Sequence, residues 1–314
     1  MIEFDEQLSL AYRSDAELAD YLEAIGDEDG ARELREAGAR GQGVARLMGK
    51  VYTHSSHVVG YIPEGRPSGA LVPIQPAFEA EPDHSLIGTQ IKVTLDAFQV
   101  AEYPGLGTHT VLFDFQGRDQ AGEEAQDLQF ATVLTVNDND RAAVSGVPIF
   151  TGLTVPRDGL SFKARTILIA NKGDQTIIDV LQSSAFKDGL KLMGQLQPAL
   201  PQLVGLAGGI AQNLVKRRWN EQVQLFDLGL DFGAGQTSAR LRRGSYVVVQ
   251  VPGSSMWRWS SWSFDPHTMS VVDEDGKVAP YNVIVFGIAE SGSGDGRLAI
   301  RSEGQTALNA SRQA

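Results

Sequence analysis

The 314-residue chain contains no cysteine. That excludes disulfide staples, thiolate zinc centres and cysteine nucleophiles, and it fits a reducing compartment. MIEFDEQLSL carries acids where a secretory leader needs a basic start and an apolar run, so export by that route is not expected. A cytoplasmic location is therefore expected. No Gly-x-Ser-x-Gly elbow and no Walker phosphate loop occurs, and Gly205 to Gly209 falls inside a helical pattern rather than after a strand. Excess positive charge is lacking as well. A net charge of −12 argues against nucleic acid, whose phosphates require a cationic surface.

Charge is present, but unevenly. Residues 1–50 hold twelve acids and six bases, whereas residues 182–250 hold eight bases and four acids. Both regions read as solvated faces, or as an acidic head that docks on a basic middle in the same or a neighbouring molecule. The head is helical in pattern. Ser14 with Glu17 forms a capping box, followed by Leu18, Tyr21, Leu22 and Ile25 on one face. Helices this short bury little alone, so they either pack on the next domain or serve as an adaptor.

Beyond a proline- and glycine-rich transition at residues 54–82, about ten strand-like runs follow one another. Ile91, Val93 and Leu95 alternate with polar neighbours, the period of a half-buried strand. Clusters such as Asn137–Asp140 and Pro156–Gly159 separate the runs as turns. Helix and strand do not alternate, which predicts a mainly β, antiparallel β-sandwich over residues 51–290. Residues 291–314 read as a flexible tail.

One long helical signal, Thr176 to Arg218, interrupts the strands. Leu200, Leu203, Val204, Ala207, Ile210 and Leu214 recur at helical spacing, and Lys216, Arg217 and Arg218 complement a helix carboxyl end. No charge occurs between Leu192 and Val215. Gln195, Gln197, Gln202, Gln212 and Asn213 with two prolines nevertheless argue against a membrane span. The segment reads as an amphipathic hairpin covering the sandwich, or as an element that meets lipid.

Several constellations could carry chemistry. Asp138 and Asp140, between two strands, suit calcium, although Asn-Asp runs are also ordinary turns. His54 and His57, with His84 and His109, have the type but not the number of local ligands that zinc favours. A triad of His109, Asp114 and a serine can be drawn without motif support. Trp257, Trp259 and Trp262 shift phase, so some belong in the core and one is left to meet a partner or membrane.

Gly107–Phe115, Gly189–Leu192 with Gln197–Ala199, Asp227–Phe232, Arg243–Tyr246 with Gln250–Pro252, and Pro280–Asn282 together resemble segments of an uncharacterised bacterial family. The resemblance spans roughly Val58 to Ile288. It is to C2-like β-sandwich accessory proteins of conflict and signalling gene neighbourhoods, in which small helical heads act as adaptors. It implies a non-catalytic protein-binding or scaffold module of bacterial antiviral defence or stress signalling. The alternatives are a membrane-acting effector using residues 176–218 and, third, a metal-dependent or hydrolytic enzyme. No catalytic residue is assigned, and calcium at Asp138 and Asp140 is the one cofactor considered. The expected partner or lipid surface comprises Leu203, Ile210, Lys216, Arg217, Arg218, Arg240, Arg242, Arg243, Trp257 and Trp259. A protein partner, bound through the acidic head or by self-association, or an anionic membrane is expected to meet it.

Overall fold

Runs such as YVVVQV and NVIVFGIA offer no polar face to water, so each needs cover on both sides. The computed structural model describes residues 4–39, 49–65, 71–119, 126–170, 190–191, 209–217, 219–233 and 238–291, and it supplies that cover in layers. The first sheet runs, in spatial order, β10 (Leu190–Lys191), β8 (Val147–Thr154), β4 (Gln90–Val100), β16 (Val283–Glu290), β13 (Gly244–Val251), β1 (Ser56–Pro63) and β3 (Gln75–Pro76). A short β7 (Asp140–Arg141) pairs with the end of β4. The second sheet runs β12 (Ala239–Arg240), β11 (Glu221–Asp231), β9 (Leu160–Leu168), β5 (Thr108–Asp119) and β6 (Gln126–Asn137). A third holds β15 (Ser270–Val272), β14 (Ser263–Asp265) and β2 (Val72–Pro73). Pairing is antiparallel except where two-residue β10 and β12 join their neighbours.

Aromatic side chains hold the two large sheets face to face. Phe115 of β5 lies 5.0 Å from Phe286 of β16, 5.8 Å from Phe150 of β8 and 5.1 Å from Phe162 of β9. Such tilted ring pairs add to the area they bury. The result is the mainly β, antiparallel sandwich expected from the strand pattern. Its outer faces are covered too. Val247, Val249, Val283 and Val285 pack beneath Trp259, Phe264 and Val271 of the third-sheet layer. On the far side Leu112, Val133 and Ile167 meet Leu8 and Ala211, Leu214 and Val215 of a short helix at 209–215.

The head is built into this core. Helix α1 (Asp15–Ala24) carries the reciprocal Ser14–Glu17 capping box, and α2 (Glu28–Ala39) follows. Leu10, Leu18, Leu22 and Leu34 belong to the same buried cluster as Phe113 and Phe115. Polar contacts pin the junction: Arg13 pairs with Glu221 at 3.2 Å, and Ser9 bridges Gln222 of β11. Of the two expectations for the head, packing is the arrangement found. Within the expected insertion, Leu190–Lys191 is a strand on β8 rather than helix, while 209–215 is helical as its apolar spacing predicts. Residues 176–189, 192–208 and 218 of the insertion, Leu203 and Arg218 among them, and the tail from residue 292 lie outside the described residues.

Candidate functional site

Two strands reach the same end of the sandwich with little beside them. Among the described residues, β1 is covered at its outer edge only by two-residue β3, and β11 only by two-residue β12. Along a strand, successive residues turn their peptide groups to opposite sides. Ala77 N–H donates to the Val59 carbonyl at 3.1 Å, so Val59 faces away from β13 and, two residues back, His57 does too. Leu241 N–H donates to the Asp231 carbonyl at 2.8 Å, so Asp231, Gly229, Asp227 and Leu225 turn away from β9.

The gap between these edges is stitched at both ends. At one end Ala77 bonds β1 through its N–H, while its carbonyl accepts from Arg240 N–H of β12 at 3.0 Å. At the other end Gln250 Nε2 donates to the carbonyls of His54 at 2.7 Å and Val223 at 3.1 Å. Between the stitches, among the described residues, no strand pairs with His57 or with Leu225 and Asp227 on this side. Unpaired edges of this kind are templates for another chain.

The seam opens into a groove of about 670 Å³. Val58, Val59 and His57 form one wall, Asp227, Leu228 and Gly229 the other, and Phe78 and Trp257 the rim, with buried Trp259 also lining the groove. A hollow of about 270 Å³ continues past His57 and Asp227 to Phe4, Glu6 and Lys163. Trp257 is locked in place, stacked on Trp262 at 5.0 Å and meeting Trp259 and Tyr281 edge-on at 5.2 and 5.3 Å. Its indole N–H has no hydrogen-bond partner. Trp259 is buried against the outer face of the first sheet, while Trp257 and Trp262 are partly buried beside it, so the core ring and the rim ring are the two that share a phase in the sequence.

His57 sits at the centre, its ring 5.1 Å from Phe226 and its Nε2 sealed from solvent without a partner. Burial, with a smaller contribution from neighbouring His54, pulls its pKa down to about 3. It is therefore neutral across the physiological range. The unfolded chain takes up a proton near pH 6.5 that the folded chain refuses until about pH 3, so this contribution to stability is present above pH 6.5 and is lost as pH falls through that window. Burial raises the carboxyls of Asp114, Glu102 and Glu221, which act in the opposite sense, losing stability as pH rises. These groups are common to both proteins in the comparison that follows. Urea midpoints measured from pH 7 to pH 4 are expected to fall more steeply for the wild type than for His57→Phe. Parallel slopes would mean that His57 takes up its proton as readily in the folded protein as in the unfolded chain.

The other residues singled out from sequence are placed as follows. Asp138 accepts from Tyr103 N–H at 2.8 Å and pairs with His109 Nε2 at 3.0 Å, while exposed Asp140 accepts from Arg141 N–H. Among the described residues no group of three or more His, Asp or Glu side chains could hold a metal. His109 and Asp114 point to opposite faces of β5, five residues apart, which dismantles the paper triad. Arg240 is buried against Asp231 and so corrects the expectation of a three-arginine recognition surface. Arg242 donates to the Glu81 carbonyl and lies over the Tyr61 ring; Arg243 pairs with Glu290 at 2.8 Å and Asp83 at 3.3 Å. Ile210 packs, half-buried, on the second sheet, whereas Lys216 and Arg217 are exposed. No helix among the described residues is long and apolar enough to cross a membrane.

Sequence reasoning missed His57 as a groove residue, along with Phe78, Leu225, Asp227 and Gly229. Asp227-Leu-Gly-Leu-Asp231 does alternate, which marks a strand with one polar face. Nothing local marks it as an edge. Comparison of the chain with protein-family models, curated proteins and solved structures gives no match.

Proposed function

We propose that the protein is a non-catalytic protein-binding module that takes up an extended segment of a partner in the seam between β1 and β11. The supporting observation is the pair of facing strand edges, stitched at both ends and unpaired between. Strand addition draws affinity from main-chain hydrogen bonds and selectivity from alternate side chains. From His54 to Val59 the seam is about 17 Å long at ~3.3 Å per residue, enough for four or five extended residues. Stacked and buried partners hold Trp257 rigid at the rim, so ordering it costs a ligand little.

Asp227→Pro tests the site. The Asp227 N–H points into the seam and not to β9, so proline removes an edge donor without breaking the ladder. Peptides selected from a random display library on the wild type should bind Asp227→Pro at least tenfold more weakly, at an unchanged melting temperature. Equal binding to both proteins would move the site elsewhere.

A further inference from the structure

The seam also carries information about what fills it. Taking the seam as a strand-binding site, we infer that its occupant is a segment in which apolar residues alternate with lysine or arginine. A strand laid along β11 keeps its pleat, so a side chain opposite Asp227 lies on the outer face and its neighbours point inward. Inward positions meet Phe226, Leu228 and the His57 ring, which is neutral and offers no charge to a partner. These positions call for apolar side chains.

The outer positions differ. The Asp227 carboxylate stands 3.6 Å from Lys163 Nζ, yet its side chain is 68% exposed and can accept a second cation. Glu6 lies in the adjoining hollow, so the lining charges beside the outer face are Asp227, Glu6 and Lys163, with acids in excess. At Gly229 a Cβ would meet nothing within 4 Å, leaving room for a long side chain to cross the edge. The chain as a whole carries −12 and repels acidic segments at a distance. Local pleat and global field therefore select the same pattern.

The test uses the full chain and three end-blocked heptapeptides: Lys-Val-Lys-Phe-Lys-Val-Lys, the same peptide with glutamate for lysine, and a reordered version with its apolar residues contiguous. Binding is read by calorimetry, and amide hydrogen exchange is followed at His57, Leu225 and Asp227. The alternating basic peptide is expected to slow exchange at these amides and to bind at least tenfold more tightly than the other two. Asp227→Asn should weaken it several-fold. Equal binding of the glutamate or reordered peptide, with the amides protected, would overturn this occupant while leaving strand addition in place. Binding of the basic peptide without protection of these amides would be surface attraction alone and would also overturn it. If no peptide protects them and display selection yields no Asp227-sensitive binder, the seam reading itself fails.

Discussion

Asp114→Ala is expected to lower the unfolding free energy by about 3–5 kcal/mol, the range for breaking one side of a buried ion pair. Asp114 is fully buried on the outer face of β5, with Arg165 Nε at 2.8 Å and Gln129 Nε2 at 2.6 Å. Burial nevertheless pushes its carboxyl above the usual range, the Arg165 charge offsetting only part of the desolvation. Removing the carboxylate strands a guanidinium that is itself buried and already has one nitrogen, Nη2, without a partner. The Phe4 ring, 4.1 Å from the guanidinium, is then its nearest compensation. Replacing both members, as in Asp114→Leu with Arg165→Met, should instead leave stability within about 1 kcal/mol of wild type or raise it. Urea unfolding of the single and double variants checks both. A loss below about 1 kcal/mol in the single variant would mean that water reaches the pair.

Removing residues 1–39 is expected to abolish cooperative unfolding. The head contributes Leu10, Leu18 and Leu22, each fully buried, to the cluster that contains the sandwich aromatics. Truncation would also free Glu221, whose carboxyl is half-buried against Arg13. Single changes give a graded version: Leu18→Ala or Leu22→Ala should each cost about 2–5 kcal/mol, as for large-to-small changes in a packed core. Circular dichroism melts and limited proteolysis separate the outcomes. A truncated chain that melts at the wild-type temperature would show that the head stands off the sandwich, as a detachable adaptor would.

Much of the architecture was legible along the chain because its signals are local. The Ser14–Glu17 capping box is two side chains and two backbone groups within one turn, and it forms as read. Turn clusters separated the strands, and the run SYVVVQV, one of those strands, forms β13. The helical spacing that ends at Leu214 likewise survives at 209–215. The candidate site was not legible in this way. Arg240, Arg242 and Arg243 form a conspicuous basic cluster in one dimension, yet their charges are met by Asp231, Glu290 and Asp83 and by the Glu81 carbonyl, none of them adjacent in sequence. Trp257 and Trp259 looked equivalent, and only the covering third sheet makes one core and the other rim.

Composition, periodicity and turn chemistry therefore determined the fold class, because helix caps, turns and the two-residue pleat depend on neighbours a few positions apart. Which strands lie at an edge depends on pairings between residues far apart in the chain, such as Val58 with Val249 and Leu228 with Phe162. No local pattern encodes those pairings. The seam arises where, among the described residues, two sheets both run out of partners at the same end, and only the tertiary structure could decide that His57, Leu225 and Asp227 face each other across it.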